Sequence, residues 1–249
     1  MPTPIDILID PLTLGVLGLF IGLLLWERLA PARTMPPVRG WWPRALVALF
    51  AYLMVSSYLP LWWGEALAPL QLFDLSAWPT WAAAGAGVLA YELLGYAYHR
   101  SMHAVTPLWR LLHQMHHSAE RLEVSSAFWF SPLDMAGWTL VNSLAFTLLG
   151  LPPAAAVPAV LFITLLAIFQ HANVRTPRWL GYLVQRPESH SLHHAQGVHR
   201  FNYADLPVID MVFGTFRNPA HHARENGFWP GASARVLDML MLRDVSTRR

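Results

Sequence analysis

Imidazole side chains gather in this sequence in three places. Residues 113–117 read HQMHH and residues 190–194 read HSLHH, while His99 and His103 stand just before the first group and His171 before the second. With 12 His in 249 residues, one HxxHH is expected roughly 0.03 times by chance, so two copies call for a common cause. Positions i, i+3 and i+4 share a helix face. Helices over these stretches would turn His99 and His103 into a two-nitrogen ligand set. They would also turn His113, His116 and His117, and again His190, His193 and His194, into sets of up to three. Neutral imidazole is the commonest protein metal ligand. Nine such nitrogens exceed the four of one zinc site and suit two ions taking four or five each. Imidazole accommodates Zn, Cu, Fe and Ni alike, so ligand type alone does not choose the metal.

The elements that must position these residues are membrane helices. The chain is 55% hydrophobic and only 13% charged, with 12 Trp and 12 Phe, whereas soluble domains carry about 25% charged residues. About 20 apolar residues of helix cross a bilayer core. Leu12 to Trp26, Ala45 to Trp63 and Trp78 to Tyr98 read as spans. Residues 135–174 hold no Asp, Glu or Arg, and GLPPAA in their middle reads as a turn. They predict a hairpin of two spans, roughly 134–149 and 154–172, the first of which is short. The opening MPTPIDILID has acidic rather than basic flanks and does not read as a cleaved signal. The expectation is an all-α integral membrane bundle of four to five spans with a cytosolic helical cap. Residues 1–249 form one membrane-embedded domain, with 99–131 and 173–249 making the cap.

Basic residues set the orientation. Arg28, Arg33, Arg39 and Arg44 follow the first span, and Arg100, Arg110 and Arg121 follow the third. Arg175, Arg178 and Arg186 follow the hairpin, whereas the loop after the second span carries Glu65 and Asp74 and no Arg. The positive-inside rule puts this Arg-bearing side in the cytoplasm, and all three His groups fall on it. That places the site on the cytoplasmic side, at the inner membrane if the source is bacterial. There is no Cys, which excludes thiolate metal sites and cysteine nucleophiles. No block of like charge suggests nucleic acid.

YHRSMH, LHQMHHS, FQHANV and PESHSLHH followed by FNYAD and DMVFGTF resemble, in that order, the fatty acid hydroxylase/sterol desaturase superfamily, over roughly residues 85–220. The resemblance implies an integral membrane oxygenase with a His-bound dimetal centre, normally two iron ions, and O2 as co-substrate. By that likeness His99, His103, His113, His116, His117, His171, His190, His193 and His194 are the metal ligands, and no catalytic residue is expected beyond them. Hydroxylation or desaturation of a fatty acyl or sterol/isoprenoid-type membrane lipid follows as the expected reaction. A His-rich zinc hydrolase or a metal transporter is the alternative. Transport would call for ligands near the bilayer midplane rather than at one face. No haem or flavin motif is visible, so electrons are expected from a separate ferredoxin- or cytochrome-type protein attracted by the Arg residues of the cap.

Further residues are candidates for supporting roles. His199 is a possible additional ligand or a partner of one. Glu92, two turns before His99 inside the third span, either orients a ligand His or makes a packing hydrogen bond. Asn173 and Asn202 lie beside the His motifs and could orient ligands. Asp210 could accept from a ligand His, or more simply cap a helix. Phe128, Trp129 and Phe130 read as membrane-facing, and His221 and His222 as a solvated loop.

Overall fold

The structure, a computed structural model, describes residues 1–248. These residues are helical, with a single isolated bridge between Ala195 and Asn226 in place of any sheet. Helix α1 (Pro4–Ile9) opens with a capping box, in which the Thr3 hydroxyl accepts from Asp6 N and the Asp6 carboxylate accepts from Thr3 N. Helix α2 (Pro11–Leu29) starts on Asp10, whose carboxylate accepts from Leu12 N at 2.9 Å. Helix α3 (Trp41–Leu67) is entered through Gly40 and contains Pro60. Helix α4 is Thr80–Ala104. Two very short helices, α5 (Thr106–Leu108) and α6 (Gln114–His117), flank a π-helical turn at Trp109–His113. Helices α7 (Pro132–Leu149) and α8 (Pro153–His171) form the hairpin read from GLPPAA. The cap is completed by α9 (Pro187–His193), α10 (Pro207–Val212) and α11 (Val236–Leu240).

Three helices are long and apolar enough to cross a membrane: Pro11–Leu29, the stretch Trp41–Leu70 and Pro153–His171. Helices α4 and α7 have comparable length and pack against them, α3 on α7, α4 on α7 and α8, and α2 on α8. Their apolar character is diluted by Glu92, His99, Arg100 and His103 in α4 and by Asp134, Asn142 and several hydroxyls in α7. Apart from the exposed Arg100, those polar groups are buried or half-buried against protein, so the two helices stay within the bundle. Between lipid-facing helices, association rests on close packing rather than on water exclusion. Glycine supplies the closest approach at Gly137, where an added Cβ would collide with the Tyr98 hydroxyl. The turn of the hairpin depends on Gly150. It takes φ +55, which favours glycine, and a Cβ there would meet Gln71 and the Phe73 carbonyl.

An apolar layer ties the bundle to the cap. Val16, Phe20 and Leu23 of α2, Leu49 and Leu53 of α3 and Ile168 of α8 pack on Val124 and Phe128 of the loop after α6. Glu27 finishes this seam, since one carboxylate oxygen accepts from both Val124 N (2.9 Å) and Asn173 N (3.0 Å). Trp129 is buried rather than membrane-facing. It packs on Trp41 with centroids 5.3 Å apart and donates to Ser118 Oγ at 3.2 Å. Phe128 is also buried, because the loop folds inward beneath the His motifs.

Candidate metal centre

The structure gathers all nine histidines of the four motifs into two adjoining clusters. His99, His103, His113, His117 and His193 form one, and His116, His171, His190 and His194 the other. Within each, one ring nitrogen per residue lies within 4.8 Å of all the rest. Helix geometry explains the sorting. His99 and His103, His113 and His117, and His190 and His194 are i, i+4 pairs, so each pair stays together. The remaining member of each HxxHH group lies about 100° around the helix from one of its partners and serves the opposite cluster. His116 therefore leaves its neighbours for the four-His group, and His193 leaves its own for the five-His group. The π-turn at Trp109–His113, a type of irregularity found often at functional sites, leads directly into His113.

The spacing fits metal ions. A metal–imidazole bond of ~2.0–2.1 Å puts neighbouring nitrogens of a tetrahedral set about 3.3 Å apart, and nitrogens at a right angle about 2.9 Å apart. In the four-His group the Nε2 atoms of His116 and His171 are 3.2 Å apart, those of His171 and His190 3.1 Å, and those of His190 and His194 3.1 Å. In the five-His group the Nε2 atoms of His99 and His113 are 3.0 Å apart. The Nε2 atoms of His103, His117 and His193 are buried with no hydrogen-bond partner. A buried polar atom without a partner is costly, and a cation at the focus of these lone pairs removes that cost. Burial also holds His113, His116, His117, His190, His193 and His194 well below the ordinary imidazole pKa. They are neutral at pH 7, the form that binds metal.

Outer hydrogen bonds orient the rings. A carbonyl only accepts, so a ring nitrogen facing one must carry the proton, which leaves Nε2 free to ligate. His99 Nδ1 donates to Tyr203 O (2.8 Å), His103 Nδ1 to His199 O (2.8 Å) and His193 Nδ1 to Phe201 O (2.7 Å). These three carbonyls alternate along one loop, whose His199, Phe201 and Asn202 all adopt positive φ, +43, +73 and +51. Such strain is kept where the surroundings over-determine the backbone. His113 Nδ1 donates to the buried Asp134 Oδ2 at 2.8 Å, and the Tyr98 hydroxyl donates to Asp134 Oδ1 at 3.4 Å. His171 Nδ1 donates to Ala167 O at 2.7 Å.

The supporting candidates land differently. His199 belongs to neither cluster; its Nδ1 meets His117 Nδ1 at 3.0 Å. Glu92 touches no histidine among the described residues. It accepts from Leu206 N at 3.0 Å and so pins the loop before α10. Asn173 clamps Arg33, accepting from its N (3.2 Å) and donating to its O (2.7 Å). Asn202 donates to Ser189 O and accepts from Arg217 N, holding the strained loop against α9. Asp210 neither bonds a histidine nor caps a helix start. It accepts from Tyr203 N, Ala204 N and the Thr215 hydroxyl, which fixes the residue whose carbonyl holds His99. His221 is exposed and His222 half-buried, both outside the clusters. Phe130 stacks on His116 with centroids 4.5 Å apart. Sequence reasoning missed Asp134, because an acid in the first turn of a helix is ordinarily explained by the helix dipole. It also missed the three loop carbonyls, since a backbone acceptor has no residue signature.

The fatty acid hydroxylase family model matches residues 84–215, which spans α4 to the Thr215 clamp and contains all nine histidines. The chain belongs to that family. It is 31% identical to an alkylglycerol monooxygenase of Homo sapiens over 175 residues, covering 67% of this chain and 36% of that protein. An alkylglycerol monooxygenase of Danio rerio is 30% identical over 65% of this chain and 35% of its own length. A very-long-chain aldehyde decarbonylase of Oryza sativa subsp. indica is 26% identical over 68% of this chain and 30% of its own. The chain thus spans about a third of the length of the curated relatives it matches. No solved structure matches.

Proposed function

We propose that this protein is an O2-dependent lipid oxygenase that holds two iron ions in its two histidine clusters. His99, His103, His113, His117 and His193 would hold one ion, and His116, His171, His190 and His194 the other. The single observation that carries the reading is the convergence of nine imidazoles, eight buried and His103 half-buried, with metal-like spacings, at one end of a membrane bundle. When bound there, iron supplies O2 activation strong enough for an unactivated C–H bond, which no protein side chain provides. Two relatives are named monooxygenases of an alkylglycerol and a third a decarbonylase of very-long-chain aldehydes, so a long aliphatic lipid is the substrate class to test. Hydroxylation is the expected outcome and desaturation the variant of it.

The chain's own residues do the rest. Loop carbonyls 199, 201 and 203 hold three rings in the ligating tautomer, and Asp134 holds a fourth. Phe130 and Trp138 shield the clusters from the bundle side, Phe130 stacking on His116 and Trp138 lying 5.7 Å from the His99 ring. Such a wall keeps water from the reacting carbon, and fixing that carbon decides between alcohol and alkene. Electrons would reach the site from a ferredoxin- or cytochrome-type partner docking on the Arg-bearing cap. That cap would lie on the cytoplasmic side by the distribution of basic residues.

The test joins metal analysis to isotopically heavy O2. Two irons per chain in anaerobically purified protein are expected, together with heavy oxygen in a lipid hydroxyl or loss of two hydrogens from a lipid chain. Two zincs retained after iron loading, with unchanged lipids, would overturn the reading.

A further inference from the structure

A cavity of about 500 Å³ runs through the bundle from the His end towards the opposite face. Its inner end is walled by Tyr52, Phe128, Trp138 and Ala167. Three of them lie one side chain or less from the clusters: Trp138 against the His99 ring, Ala167 accepting from His171, and Tyr52 against Phe130, which stacks on His116; Phe128 packs on Tyr52. Its outer end is lined by Leu12, Trp63, Leu67, Thr147 and Pro153. The size is that of a small-ligand site.

The chemistry of the lining is uneven. No Asp, Glu, Arg or His is among the residues that line it. A charged headgroup buried there would lack a counter-ion, which is prohibitive in a low-dielectric setting. Yet the middle is polar: Ser56, Ser57, Asn142 and Ser143 line it. Ser56 donates to the Leu53 carbonyl, and Ser143 donates to the Thr139 carbonyl while accepting from Trp63 Nε1 at 3.0 Å. The Asn142 carboxamide and the Ser57 hydroxyl have no hydrogen-bond partner among the described residues. Pro60, also at the wall, supplies no N–H, so the Ser56 carbonyl is without its helical donor. The wall therefore offers a carboxamide that can donate and accept and a carbonyl without its helical donor. A hydroxyl satisfies both, whereas an ether or ketone cannot donate.

We infer that this cavity binds a single-chain, uncharged, hydroxyl-bearing lipid, its hydroxyl at Asn142 and its chain extending to the Tyr52–Phe128–Trp138 wall. The inference deepens the lipid-oxygenase reading and rests on it for the direction in which the chain points. Asn142 is four residues beyond Trp138 on α7, about 6 Å along the axis at ~1.5 Å per residue, and Trp138 lies against the His99 ring. An extended chain of ~1.52 Å bonds at ~111° gains roughly 1.25 Å per bond. The carbon presented to the wall at the His end is then about five bonds from the hydroxyl.

Photolabelling of the full-length protein in phosphatidylcholine nanodiscs tests this without iron or O2. One probe is octadecan-1-ol with a diazirine about five bonds from the hydroxyl; the other carries it beside the hydroxyl. The first is expected to label Tyr52, Phe128 or Trp138, and the second the stretch 139–147. Unlabelled octadecan-1-ol competes, while octadecane and octadecanoate compete about tenfold more weakly. Asn142→Leu lowers labelling by the first probe about tenfold, equal to ~1.4 kcal/mol. A reversed labelling pattern on the unmodified protein, equal competition by octadecane, or unchanged labelling of a folded Asn142→Leu variant would overturn the inference. Labelling as expected with no heavy oxygen in any lipid would sink the oxygenase reading alone; oxygen incorporation with no specific labelling would sink this inference alone.

Discussion

The two histidine clusters adjoin, with the rings of His117 and His194 stacked at 4.1 Å, yet they are supported in different ways. In the five-His cluster every outer nitrogen has a partner: three carbonyls from residues 199–203, the Asp134 carboxylate and the His199 ring. In the four-His cluster only His171 has one, the Ala167 carbonyl. The Nδ1 atoms of His116, His190 and His194 are buried without partners. The Trp129 backbone offsets part of the burial cost at His116 but does not reach hydrogen-bond geometry. Outer partners fix the tautomer and ring angle before a metal arrives, and their loss typically costs 10–100-fold in affinity. The difference teaches that one cluster is organised by the protein, while the other would depend on a bound ion for part of its order. Fewer protein ligands would also leave an ion there with more coordination available to other groups.

This contrast can be broken experimentally. The largest effect is expected from removing one ligand on each side. His103→Ala and His190→Ala should each cut lipid oxidation by more than ~100-fold and lower the metal content from two ions to about one. Metal analysis of each variant would then show which cluster has emptied. A variant that kept both ions would contradict the ligand assignment. Chelator titration of the unmodified protein comes next. The four-His ion should leave first, in two phases separated by roughly 10–100-fold in chelator strength, followed by metal spectroscopy. A single phase would mean that the outer hydrogen bonds make no difference.

Asp134→Ala should weaken the five-His cluster by about 10–100-fold while leaving the other within about twofold, and Asp134→Asn, which can still accept, should restore much of the loss. Gly137→Ala is a less direct probe of the same bond. The added methyl displaces Tyr98 from Asp134, and overpacking of this kind costs typically ~1–3 kcal/mol of stability, read as a lower melting temperature. The smallest effect belongs to Phe130→Leu. It removes the stacked ring from His116, worth ~0.5–1.5 kcal/mol. The four-His ion should bind about 2–10-fold more weakly, with no change in the five-His ion.

Several features were legible before any tertiary contact was known. The hairpin was readable because GLPPAA punctuates a stretch without charge, and it forms at Leu149–Pro153. The i, i+4 pairings were readable because helix geometry is local. The supporting residues were not. Glu92, Asn173 and Asn202 were candidates for orienting histidines because they lie near them in the chain, and Asp210 for a cap. In the fold Asn202 and Asp210 hold the loop that carries the backbone acceptors, Glu92 holds Leu206 beyond it, and Asn173 clamps Arg33. Trp129 looked lipid-facing by type, and it is buried because the segment after α6 turns beneath the motifs.

By itself the sequence determined that apolar helices would carry imidazole pairs on single faces, since hydropathy and a 3.6-residue repeat are properties of neighbouring residues. Only the tertiary structure decided that His116 and His193 change sides, that Asp134 stands behind His113, and that the 199–203 carbonyls stand behind three rings. The physical reason is separation along the chain. Apart from His193 and Phe201, these contacts join residues 21 to 104 positions apart, and those to residues 199–203 use backbone carbonyls that every residue possesses. Nothing in local composition marks such an acceptor until helices from distant stretches have packed around it.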